Sequence, residues 1–97
     1  MVKEIRWTPE AVSTFHHVIE YLIQHWSEKE VEHFVQSTQK IVEFIAKNPR
    51  MFRSTIHNDV REALVTPHNL LIYKINKNTI DLLTFWDTRR NPNSKKY

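Results

Sequence analysis

The sequence predicts a two-layer α+β domain, in which an N-terminal strand and a helical hairpin pack on a mostly antiparallel four-stranded sheet, in the order β-α-α-β-β-β. Three observations predict it. A strand-like run leads directly into a proline-started helix. Two apolar stripes of helical period follow each other with almost no linker. Three β-rich runs joined by tight turns close the chain. A hairpin with an apolar stripe on each arm must cover one sheet face, which leaves the other face partly exposed. At 97 residues the chain supports one core. Residues 1–92 therefore read as a single domain and 93–97 as a basic tail.

The first strand is Val2-Lys3-Glu4-Ile5-Arg6-Trp7, with Ile5 and Trp7 on one face. It stops at Thr8-Pro9. Thr is a good helix N-cap, and Pro at the first helical position forfeits only an amide that has no intrahelical acceptor. Val12, Phe15, Ile19, Leu22, Ile23 and Trp26 then recur at helical spacing over about five turns. Ser27-Glu28-Lys29-Glu30 has the form of a capping box and restarts a second helix. Its stripe is Val31, Phe34, Val35, Thr38, Ile41, Val42 and Ile45, ending at Asn48-Pro49. So short a connection makes the helices antiparallel.

Residues 50–59 read as an irregular, basic loop. Three strands follow: Val60 to Val65, Asn69 to Asn76, and Thr79 to Trp86. Thr66-Pro67 separates the first two and Asn76-Lys77-Asn78 the last two. The chain has no glycine, so left-handed turn positions fall to Asn or Asp.

Composition excludes several chemistries. Without cysteine there is no disulfide, thiolate metal site, iron–sulfur cluster or thiol nucleophile. Without glycine there is no phosphate-cradling loop or dinucleotide turn, so no nucleotide cofactor is expected. His16, His17, His25 and His33 fall on the helices without metal-ligand spacing, and no metal is expected. No run approaches the ~20 apolar residues of a membrane span, and Met1-Val2-Lys3-Glu4 opens no signal peptide. The expected location is the cytoplasm.

Charge is asymmetric. Residues 1–49 carry five Lys/Arg against seven Asp/Glu, whereas residues 50–97 carry nine against four. A basic half points to a polyanionic partner, or simply to solubility. The candidate cluster is Arg61, Arg89 and Arg90, joined by Arg50, Arg53, His57, His68 and Lys95. Guanidinium groups converging from neighbouring strands would clamp a phosphate. The same groups could instead pair with Glu62, Asp81 or Asp87 as a solvated sheet face. Tyr97, beside Lys95 and Lys96, either stacks on a base or frays.

Several segments together resemble the RelE/ParE toxin superfamily. They are Ile5-Arg6-Trp7-Thr8-Pro9-Glu10-Ala11, Val60-Arg61-Glu62-Ala63-Leu64-Val65, Leu71-Ile72-Tyr73-Lys74-Ile75, Ile80-Asp81-Leu82-Leu83 and Phe85-Trp86-Asp87-Thr88-Arg89-Arg90-Asn91-Pro92. The resemblance spans residues 2–92. It implies the toxin of a bacterial type II toxin–antitoxin pair, held inactive by a cognate antitoxin. One branch of the superfamily cleaves mRNA, usually in the ribosome and without a metal; the other poisons DNA gyrase.

In the first branch a ribose 2′-hydroxyl attacks the adjacent phosphate, and the protein must stabilise the phosphorane and protonate the leaving oxygen. The resemblance then implies Arg61 as the strand arginine and Arg89 or Arg90 as a second clamp. Tyr97 would stack or transfer a proton, with His57 and His68 as further acid/base candidates. Arg50 and Arg53 would replace the paired lysines of RNA-cleaving members, and Lys95 and Lys96 would add nucleic-acid contacts. mRNA cleavage is the favoured expectation, gyrase poisoning the alternative. A non-toxic nucleic-acid-binding or interaction module is the third reading.

Overall fold

The computed structural model of the protein describes residues 2–57 and 59–90. Its elements are β1 (Glu4–Trp7), α1 (Pro9–His25), α2 (Glu28–Lys47), β2 (Arg53–Ser54), β3 (Val60–Thr66), β4 (Asn69–Ile75) and β5 (Thr79–Asp87). The predicted order holds, with one addition. Arg53 and Ser54, inside the segment expected to be irregular, pair antiparallel with Glu62 and Arg61, so the sheet has five strands. Two residues are too few for an alternation signal to register.

The strand order is β1-β5-β4-β3-β2. β1 runs parallel to β5, with Ile5 opposite Ile80, and the other pairings are antiparallel. Thr8 joins the layers. Its Oγ1 accepts from the Ala11 amide at 3.1 Å, capping α1, and donates to the Leu82 carbonyl at 2.7 Å. One hydroxyl thus sets both the start of the helix and its seat on β5. Thr14 adds a second tie, its Oγ1 accepting from the Phe85 amide at 3.0 Å. At the second helix the expected capping box does not form, because the Ser27 side chain makes no cap hydrogen bond. Ser27 is exposed, and Glu28 and Glu30 in the first turn complement the helix dipole instead.

The helix-facing side of the sheet holds Ala63, Val65, Leu71, Tyr73, Ile75, Ile80, Leu82 and Phe85, beneath Ala11, Phe34 and Ile45. A register shift opposite Ile72 and Tyr73 lets both Leu82 and Phe85 face the helices. Phe34 is 1% exposed and packs its ring 5.3 Å from Phe15 and 5.9 Å from Phe85. Trp7 stacks 5.8 Å from Phe85. The predicted stripe of α1 is only half right. Ala11, Phe15, Val18, Ile19 and Leu22 take the seat, leaving Val12, Ile23 and Trp26 exposed. One helix buries only one stripe.

The opposite sheet face carries a smaller cluster of Val60, Ile72 and Trp86, flanked by Leu70 and Leu83. The turns also differ from expectation. Among the described residues none has positive φ. Asn76 holds the last hairpin through its side chain instead, donating to Thr79 Oγ1 and Asp81 Oδ2, each at 3.1 Å. Among the described residues no helix is long and apolar enough to cross a membrane.

Candidate functional site

Arg61 sits on β3 between Ser54 and Tyr73 of the neighbouring strands. Strand alternation puts it on the same face as Ala63 and Val65, toward the helix layer. Its Nη1 donates to the main-chain carbonyls of Arg50 at 3.2 Å and Phe52 at 3.0 Å. Its Nε is buried without a partner. Beside it the fully buried Tyr73 donates its hydroxyl to the Pro49 carbonyl at 2.5 Å. Burial pushes the Tyr73 hydroxyl well above its ordinary range, and the nearby Arg61 charge offsets only part of that rise. Two side chains thus anchor three carbonyls of the chain leaving α2. This guanidinium holds the loop that leaves α2.

The remaining arginines of the cluster lie elsewhere. Arg89 forks onto Asp87, Nε to Oδ1 at 3.0 Å and Nη2 to Oδ2 at 2.9 Å, with its own amide on Oδ1 at 2.8 Å. That fork holds the Asp87 carboxyl below its usual value and raises the Arg89 guanidinium further. Arg90 lays its guanidinium 4.2 Å over the Trp86 ring. Arg61 is opposite Tyr73, whereas Asp87 is opposite Asn69. The two ends are therefore separated by about 13 Å along the strands and about 10 Å across them. Arg61 does not converge with Arg89 and Arg90.

The supporting residues divide the same way. Near Arg61, Arg50 pairs with Asp59 at 3.3 Å and Arg53 with Glu62 at 3.6 Å, and exposed His57 follows β2. Near Arg89, His68 occupies the β3–β4 turn and its charge helps to lower Asp87. Tyr97, Lys95 and Lys96 lie outside the described residues. His16, His17, His25 and His33 are exposed, and among the described residues no group of three or more His, Asp or Glu is placed to hold a metal.

Two grooves flank the sheet. The first, of about 500 Å³, lies between the helices and the β3–β4 turn. Phe34, Phe85 and Leu22 line it, and Tyr21, Trp26 and Arg89 rim it. The second, of about 590 Å³, lies across the sheet face opposite the helices, from β2 and β3 to the end of β5, and brings Arg53, Glu62 and Arg90 together with Met51, Leu64, Leu70 and Trp86. Sequence reading missed Tyr73 as a hydrogen-bond donor and Trp26 as a surface residue. The signal available for Trp26 was its place at the turn that joins the two helices, just past the end of α1.

A helical hairpin over a sheet whose first strand runs parallel to its last, with apolar grooves on both sides, defines a toxin of the RelE/ParE superfamily. The profile described as the ParE toxin of the type II toxin–antitoxin system parDE matches residues 5–92, and the chain belongs to that family. It is a toxin component of a type II toxin–antitoxin system. Solved structures agree on the fold. The chromosomal ParDE toxin–antitoxin system from P. aeruginosa superposes with a TM-score of 0.75 at 13% identity, covering 89% of this chain and 96% of that one. The YoeB dimer from Staphylococcus aureus gives 0.64 at 12% identity, covering 93% and 100%. The E. coli DinJ–YafQ toxin–antitoxin complex gives 0.60 at 13%, covering 90% and 93%. No sequence among the curated proteins matches this one.

Proposed function

We propose that this toxin acts by binding and poisoning DNA gyrase in the cytoplasm, not by cutting mRNA. The observation that carries this reading is how its arginines are used. Arg61 is turned onto main-chain carbonyls, Arg89 is forked on Asp87, and the two stand at opposite ends of the sheet. A phosphorane needs several cations within hydrogen-bond reach of one phosphate. The match of residues 5–92 to the ParE family supports the same reading.

A cognate antitoxin neutralises it. The groove between the hairpin and the sheet end suits an amphipathic helix, with Phe34 and Phe85 as its floor and exposed Trp26 and Tyr21 as its rim. Induction in a sensitive host, followed by pulse-labelling, tests the reading. DNA synthesis should fall before protein synthesis, and purified toxin should inhibit supercoiling by purified gyrase. Early arrest of translation with cleaved transcripts would overturn it.

A further inference from the structure

Three histidines from three different elements line the groove between the hairpin and the sheet end: His17 from α1, His33 from α2 and His68 from the β3–β4 turn. All three are exposed, so they stand around the rim, above the apolar floor of Leu22, Phe34 and Phe85. Metal binding does not account for them, because among the described residues no group of three or more His, Asp or Glu is placed to hold an ion.

The other cations of the groove are already engaged. Arg89 is forked on Asp87 and lies 5.9 Å from the centre of the Tyr21 ring. Arg90 covers Trp86. The carboxylates near the histidines are Glu20, one turn beyond His17 on α1, Glu30, one turn before His33 on α2, and Asp87 of β5, which His68 helps to lower. Lys29 stands four residues before His33, and on the α1 side His25 packs 4.6 Å from the Tyr21 ring. Among the lining groups Arg89 and Arg90 balance Glu30 and Asp87, so the groove gains positive charge as its imidazoles protonate. Histidine is the side chain that ordinarily makes this change between about pH 5 and 8.

We propose that His17, His33 and His68 couple antitoxin capture to pH, by pairing with carboxylates on the flanks of an amphipathic antitoxin helix seated in this groove. Charge complementarity identifies the flanks. A helix about 10–12 Å across, with its apolar stripe on Phe34 and Phe85, brings its flanks over the rim where the histidines stand. A carboxylate beside an imidazole favours the charged form, whereas covering it with apolar surface favours the neutral one. With acidic flanks the complex therefore takes up protons that the free toxin does not hold. Affinity then rises as pH falls through the imidazole range, and the gain is lost as pH rises through the imidazole values of the complex. The inference rests on the reading of this groove as the antitoxin seat.

The test titrates full-length toxin with its purified cognate antitoxin at about pH 8 and about pH 5.5, on either side of the imidazole range. Affinity should be about tenfold higher at the lower pH, as three rim ion pairs of ordinary strength would give. Combining His17→Gln, His33→Gln and His68→Gln, all at exposed positions, should bring that ratio to about one, with the far-UV spectrum unchanged. A wild-type affinity that is equal at the two values, or lower in acid, overturns the inference, as does a ratio that the triple variant leaves unaltered. Trp26→Glu tests the underlying reading separately. Trp26 is 64% exposed on the same groove, and acid there should weaken binding about tenfold at both pH values. Unchanged binding by Trp26→Glu would place the antitoxin elsewhere and remove the reading together with the inference.

Discussion

Replacing Arg61 with alanine separates a guanidinium that holds the fold from one that acts on a substrate. The side chain makes two hydrogen bonds to carbonyls, at 3.2 and 3.0 Å. Hydrogen bonds from a charged donor contribute about 1.5–3 kcal/mol each. Against this, the buried Nε has no partner and costs about 1–3 kcal/mol already. The net loss on truncation is then about 2–3 kcal/mol. In a domain of this size that lowers Tm by roughly 8–24 °C. Thermal unfolding followed by circular dichroism measures it. Toxicity of Arg61→Ala should fall with the folded fraction and recover at lower growth temperature. A variant with unchanged Tm and abolished toxicity would refute the reasoning, because the guanidinium would then be working on something outside the protein.

Three further outcomes follow from the same geometry. Tyr73→Phe removes only the hydroxyl that bonds the Pro49 carbonyl and should cost about 1 kcal/mol, and combined with Arg61→Ala it should be non-additive because both hold one loop; denaturant titrations of the two single variants and the double variant decide this. Asp81 and Asp87 have lowered folded pKa values, through Arg6 and Arg89 respectively. Their contribution is present above the unfolded carboxylate value near 4 and is lost as pH falls below it, so Tm should drop on acidification and Asp87→Asn should flatten that slope. Phe34→Ala empties a site 1% exposed between Phe15 and Phe85 and should cost about 3–5 kcal/mol, enough to leave the domain marginal in a urea melt.

Much of the fold was legible because its signals are local. Thr8-Pro9 starts α1 as its chemistry dictates, and the runs around Leu71 and Leu82 pair as expected. What escaped was set by partners distant in sequence. β2 exists only because β3 offers Arg53 and Ser54 an edge. The direction of Arg61 is a parity question that Val60-Arg61-Glu62-Ala63-Leu64-Val65 leaves open, since apolar residues stand on both parities. Ala63 and Val65 win the helix side, and Arg61 goes with them. Val12, Ile23 and Trp26 were misjudged for a related reason: periodicity reports that a residue is apolar, and the surrounding elements decide whether it is covered.

The same point explains why a basic half need not be a phosphate site. Residues 50–97 hold only four acids, Asp59, Glu62, Asp81 and Asp87, and each has an arginine beside it: Arg50, Arg53, Arg6 and Arg89 in turn. Arg61 is committed to carbonyls and Arg90 to the Trp86 ring. The positive excess that composition counts thus falls largely on lysines, which meet phosphate as hydrated point charges without the fork of a guanidinium. Such charges attract a polyanion without orienting it. Orientation is what in-line attack at a phosphate requires, whereas docking on a protein needs only steering toward the basic side and an apolar seat on arrival.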